Sequence, residues 1–114
     1  MKLIGSKMEK DFRRELVRSN QGFNDPNSRL KQVLESAGHN TQNAYVLHWT
    51  PDQTEDFYSV LIDGSYLVSV EIDKFDSSVL PVVARQELKS YSHGLSRMYQ
   101  VQLAVALDLA NTKT

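Results

Sequence analysis

Asp63, Glu71 and Lys74 are of the types that metal-dependent nucleases use, two carboxylates holding Mg²⁺ while a lysine stabilises developing charge. The spacing departs from that pattern, because Glu71-Ile72-Asp73-Lys74 sets the lysine three residues on and Asp63 is needed in a turn. His39, His48 and His93 lie in three different segments without an i, i+4 pair, and no cysteine can serve as ligand or nucleophile. Ser92 beside His93 lacks a third partner for a nucleophile and base. The five glycines are scattered, so no phosphate-cradling loop is formed. The expectation is a noncatalytic protein with no metal and no cofactor.

Charge is a stronger signal than any catalytic set. The net value is −1, yet residues 1–38 hold eight Lys/Arg against five Asp/Glu, whereas residues 39–78 hold Lys74 alone against seven carboxylates. Asp52, Glu55, Asp56, Glu71 and Asp73, interleaved with Trp49 and Tyr58, therefore form a candidate surface for a cationic protein partner. A patch of one sign steers encounter with the opposite sign, and aromatic side chains supply anchors. Small acidic inhibitors of nucleases act in this way, so an immunity or regulatory role is expected. The alternative lies at the other end of the chain, where Lys7, Lys10, Arg14 and Arg18 recur at helical spacing and could track a nucleic-acid backbone.

The elements that must position these residues read as α+β: a three-stranded antiparallel meander between two N-terminal and two C-terminal helices, all in one globular domain over 1–114. Ser6-Lys7-Met8-Glu9 matches a capping box and opens a helix to about Ser19, with Met8, Phe12 and Leu16 as its core stripe. Asp25-Pro26 predicts the start of a second helix, with Leu30, Val33, Leu34 and Ala37 inward and Gly38 as its terminating residue. A strand over Asn43–Thr50 should set Tyr45, Leu47 and Trp49 on one face and Ala44, Val46 and His48 on the other. Phe57–Ile62 and Ser65–Ile72 flank Asp63-Gly64, the strongest short hairpin signal. A two-residue turn there pairs Leu61 with Tyr66, Ser59 with Val68, Phe57 with Val70, Asp56 with Glu71 and Glu55 with Ile72.

Beyond the hairpin, Ser78 predicts the cap of a helix to about Tyr91, with Leu80, Ala84, Leu88 and Tyr91 as its stripe and Pro81 tolerable in the first turn. Ser96 caps a last helix to about Ala110. Its apolar residues cover most of its circumference, so it is either central to the fold or the seat of a homodimer. No leader-like or membrane-spanning run is present, which implies a cytoplasmic protein with no membrane partner.

Residues 25–91 resemble a double-stranded RNA-binding domain in their order of helix, three strands and helix. Asp25-Pro26-Asn27-Ser28-Arg29-Leu30 resembles the start of that family's first helix, and Phe57 with Asp63-Gly64 its central hairpin. Where the family opens its second helix with a lysine pair that grips phosphates, this chain has Ser77-Ser78-Val79-Leu80-Pro81. The resemblance thus implies the architecture rather than the RNA grip.

Overall fold

The computed structural model describes residues 6–112. In chain order the elements are α1 (Lys7–Gly22), α2 (Arg29–Ser36), β1 (Ala44–Pro51), β2 (Glu55–Ile62), β3 (Tyr66–Asp73), β4 (Val82–Glu87), α3 (Leu88–Ser92) and α4 (Arg97–Thr112). The class is α+β, and the four strands form one antiparallel sheet in the order β1-β2-β3-β4.

The fourth strand replaces most of the helix expected from Ser78 to Tyr91. Val82–Glu87 pairs with Tyr66–Glu71, and helix begins only at Leu88. Of the expected stripe, Leu88 and Tyr91 pack on the core from α3, whereas Leu80 is 85% exposed and Ala84 also faces solvent. Pro81 has no N–H to donate, and the β-branched Val82 and Val83 that follow favour extended backbone. The far side of β3 offers a full row of backbone partners, which settles the choice. The resemblance to an RNA-binding domain fails at this point, because a strand stands where that family has a long helix.

Both faces of the sheet are apolar, and each has its own cover. Tyr45, Leu47, Leu61 and Leu67 pack against Leu16 of α1 and Leu103, Val105, Ala106 and Ala110 of α4. Ala44, Val60, Ile62, Val68, Val70 and Ile72 pack on the opposite face against Phe23, Leu30 and Leu34. The broad apolar circumference of α4 is therefore largely used within the chain, wedged against α1 and β1.

Local signals fix most helix ends. Ser6 Oγ accepts the Glu9 N–H at 3.2 Å to start α1, which runs past the expected end at Ser19 to Gly22, with Phe23 buried behind it. Ser28 rather than Asp25 caps α2, accepting from Lys31 N, while Asp25 holds the N–H of Asn27 in the preceding turn. Gly38 has φ +90 after α2, as its place behind the helix requires. Of the expected α1 stripe, Leu16 is buried and Phe12 packs on the core, whereas Met8 is exposed.

The hairpin turn forms at Asp63-Gly64, with φ of 54° and 65° and Ser65 N–H donating to the Ile62 carbonyl at 2.9 Å. Its register differs by one residue from the expectation. Ser65 stays outside the ladder, so Ile62 faces Tyr66, Leu61 faces Leu67, Val60 faces Val68 and Tyr58 faces Val70. The expected register would have set Ser59 and Phe57 against the two valines. The observed one matches apolar to apolar on both faces, which decides the pairing. Asp56 then faces Ile72 and Glu71 faces Phe57, so the two acids are on opposite sides of the sheet.

A second shift occurs in β1. Between Val46 and His48 the ladder carries a bulge, His48 being paired with Ser59 while Val46 pairs with Val60. Leu47 and His48 consequently both point towards α4, and Trp49 turns to the α2 face beside Tyr58, opposite to the alternation expected.

The turn gives a direct check on this packing. A Cβ at Gly64 would lie 3.1 Å from Ala110 Cβ and 3.3 Å from Asn111 Oδ1, on left-handed backbone, whereas one at Gly38 would meet nothing within 4 Å. Gly64→Ala is expected to destabilise by about 1–2 kcal/mol in chemical denaturation, and by more than Gly38→Ala.

Candidate functional site: the acidic and aromatic end of the sheet

The candidate residues gather at the end of the hairpin remote from the Asp63-Gly64 turn. There the β2–β3 ladder closes on Glu55 opposite Asp73, and the β1–β2 connection Asp52–Thr54 folds over it, Asp52 N–H donating to the Glu55 carbonyl at 2.8 Å. The bulge in β1 sets Trp49 opposite Tyr58. Their rings are stacked, with centroids 6.4 Å apart and planes 8° from parallel. The indole N–H donates to Asp56 Oδ1 at 3.0 Å. Trp49 is nevertheless 60% exposed, so a large flat aromatic is held in one orientation at the surface.

Two cations sit within this group. Lys74 Nζ lies 3.8 Å from Asp56 Oδ1 and also donates to the Asp52 carbonyl, while Arg29 of α2 donates to the Asp73 carbonyl. Much of their hydrogen bonding therefore goes to backbone rather than to carboxylates. Asp73 Oδ1 accepts the N–H groups of Phe75 and Asp76, and Asp76 in turn accepts from Ser78, whose side-chain and backbone donors hold its carboxyl below the usual range. Burial, then the charge of Asp56, raises the Tyr58 phenol, with Arg29 opposing.

The seven residues singled out from the sequence come to this one end of the sheet but do not form one face. Trp49, Tyr58 and Asp56 share the α2 side, Asp52 is on the connecting loop, and Glu55, Glu71 and Asp73 alternate to the other side. Asp63 is in the turn at the far end of the same hairpin, beyond the Ile62–Tyr66 pair, which is itself five ladder steps or about 17 Å from Glu71, so the arrangement with Glu71 and Lys74 is not brought together.

The basic residues occupy a separate surface. Lys10, Arg14 and Arg18 line a shallow concavity of about 410 Å³ with Arg13, Val17 and Gln21, while Lys7 lines a different one with Met8, Asp11, Phe12 and Glu15. Among the described residues the ion pairs of α1 run from Arg13 to Asp108 (2.9 Å) and from Arg14 to Asp11 (3.6 Å). Neither reaches the acidic end of the sheet.

One cluster had no signal in the sequence. His48 Nε2 is 2.8 Å from Tyr91 Oη of α3, and its ring meets Tyr99 of α4 edge-on at 4.8 Å. Beneath them the buried Gln102 donates to the Leu47 carbonyl at 2.7 Å. The three groups come from β1, α3 and α4, and only the bulge aims His48 at the other two. His39 pairs separately, its Nδ1 being 2.7 Å from Tyr66 Oη, and Arg85 covers the Tyr66 ring. Among the described residues no group of three His, Asp or Glu side chains is placed to hold a metal ion, and no helix is long and apolar enough to cross a membrane.

No family model, curated protein or solved structure matches the chain.

Burial lowers the His48 pKa from its ordinary 6.5 and raises Tyr91 to about 12, so near neutral pH the pair is a neutral imidazole on a neutral phenol. A depressed folded pKa means that the unfolded chain binds the proton first as pH falls. The contribution of His48 to stability is full above its ordinary pKa and is lost as pH drops through the lower folded value. Between about pH 8 and about pH 5 the thermal midpoint of the wild type is expected to fall more steeply than that of His48→Gln, as read by circular dichroism melts.

Proposed function

We propose that this chain is a noncatalytic protein-binding domain whose acidic and aromatic sheet end receives a cationic partner, as an immunity or regulatory protein would. The observation that carries this reading is Trp49. A tryptophan left 60% exposed yet stacked on Tyr58 and hydrogen-bonded to Asp56 loses little side-chain freedom when covered, which is what an interface anchor requires. At the same end of the sheet Asp52, Glu55, Asp56, Glu71, Asp73 and Asp76 outnumber Lys74 and Arg29, with Asp56 on the Trp49 face and Glu55, Glu71 and Asp73 on the other, and the α1 ion pairs described above do not reach them. The surplus supplies long-range attraction and the tryptophan supplies short-range contact.

A second reading rests on the concavity of α1, where Lys10, Arg13, Arg14 and Arg18 converge and could hold a phosphate backbone. It predicts retardation of RNA or DNA in a gel shift at low salt, lost in Arg14→Glu. An unshifted nucleic acid ends that alternative.

The leading reading is tested with a basic protein captured from the native host on immobilised wild-type chain. Its affinity is expected to fall as salt is raised, and Trp49→Ala should weaken it by about 2 kcal/mol or more. The same substitution should cost no more than about 1.5 kcal/mol of folding stability, the scale of one aromatic pair. Affinity indifferent to both salt and Trp49 would remove the proposal.

A further inference from the structure

Unpaired strand edges attract other strands, and proteins normally protect them. The two edges of this sheet are treated differently. On β1 the ladder is bulged, the Ala44 carbonyl accepts from Asn20 Nδ2 at 3.0 Å, the Val46 N–H donates to Ser19 Oγ at 3.0 Å, and the Leu47 carbonyl accepts from Gln102 Nε2 at 2.7 Å. Side chains of α1 and α4 thus occupy the groups that another strand would use. β4 has none of these devices. It pairs with β3 over six residues without irregularity, contains no proline or lysine, and has five of its six residues exposed. Among the described residues the one side-chain hydrogen bond onto its backbone comes from Ser69, in the strand it already pairs with. Exposed apolar residues rim the same edge, with Val79 and Leu80 just before Val82, itself exposed. A groove of about 790 Å³, lined in part by Val33, Ala37, Leu80 and Val83, runs alongside.

We propose that β4 is a self-association edge, through which two copies of this chain join antiparallel, β4 to β4, into one eight-stranded sheet. The choice of a second copy follows from the charges on the strand. Val83, Arg85 and Glu87 alternate on one face. A two-fold axis through Gln86 sets Arg85 of each copy opposite Glu87 of the other, so both opposite-charge pairs form together as each guanidinium turns from the Tyr66 ring of its own chain, 3.9 Å away, towards the partner. An axis one residue earlier would set the two guanidiniums against each other. The strand is therefore its own electrostatic complement in one register and is repelled in the adjacent one. Nothing in this inference uses Trp49 or the acidic sheet end.

Sedimentation velocity across a concentration series to about 1 mM tests it. The wild type is expected to dimerise, with hydrogen-exchange protection that grows with concentration and is centred on Val82–Glu87. Arg85→Glu and Glu87→Arg should each weaken the dimer by about tenfold or more, because each turns attraction into repulsion at both pairs. An equimolar mixture of the two should regain it, since every arginine then faces a glutamate. Circular dichroism melts establish that each variant is folded, and the exchange measurement on wild type stands alone if one is not. A wild type monomeric throughout, a dimer protected at α4 instead of β4, or a mixture of folded variants that stays monomeric would overturn the proposal.

Discussion

A sheet that is apolar on both faces must be covered on both, and four helices have to do it. α1 and α4 lie against each other and against β1, and α2 serves the other face. This uneven cover governs what is left outside. The β1 edge is buried under helix side chains that also satisfy its backbone, whereas the β4 edge and the far end of the hairpin have nothing comparable above them.

The bulge at Leu47 and His48 is the local device that makes this arrangement possible. A regular strand would have placed Trp49 with Tyr45 and Leu47, against α4, and His48 on the α2 side. With one extra residue in β1, Leu47 stays in the core, His48 meets Tyr91 and Tyr99, and Trp49 is delivered to Tyr58. Gln102 holds the Leu47 carbonyl at this point, so the helix and the irregularity support each other. One backbone insertion thereby sets both the half-buried His48–Tyr91 pair and the exposed tryptophan.

Much of the fold was legible because local chemistry dictated it. The Ser6 cap, the Asp63-Gly64 turn, Gly38 and the Leu30, Val33 and Leu34 stripe of α2 are read from short stretches and are found in place, whereas Ala37, expected inward, lies past the end of α2 and is exposed. What could not be read depended on partners distant in sequence. Val82–Glu87 has both a helical spacing and β-branched residues, and only the open side of β3 selects between them. The hairpin register turns on whether Ser65 joins the ladder, which the match of apolar residues across both faces determines. The acidic residues were identifiable as a group, but which of them share a face followed from that one-residue shift, which puts Glu71 and Asp73 with Glu55 instead of Asp56. His48 gave no sign of Tyr91 and Tyr99, because no local motif announces a bulge.

The charges at the sheet end do not drive the hairpin together. Glu55 opposite Asp73 is a like-charge cross-strand pair, unfavourable by roughly 0.2–1 kcal/mol, and the Lys74–Asp56 pair at 3.8 Å offsets little of it at the surface. The same two strands bury Val60, Leu61, Ile62, Leu67, Val68 and Val70 almost completely, each contributing about 1.5–3 kcal/mol. The apolar ladder exceeds the electrostatic penalty many times over, so the hairpin forms in spite of its acidic end. At Glu55 a neutral residue would serve folding as well or better, whereas Asp56 and Asp73 accept hydrogen bonds from Trp49 and from the turn after β3. Glu55 thus adds charge at a point where the hairpin gains nothing from it, whereas Asp56, Asp73 and Asp76 each hold a local hydrogen bond, so the acidic end combines structural carboxylates with one that the proposed partner surface would use.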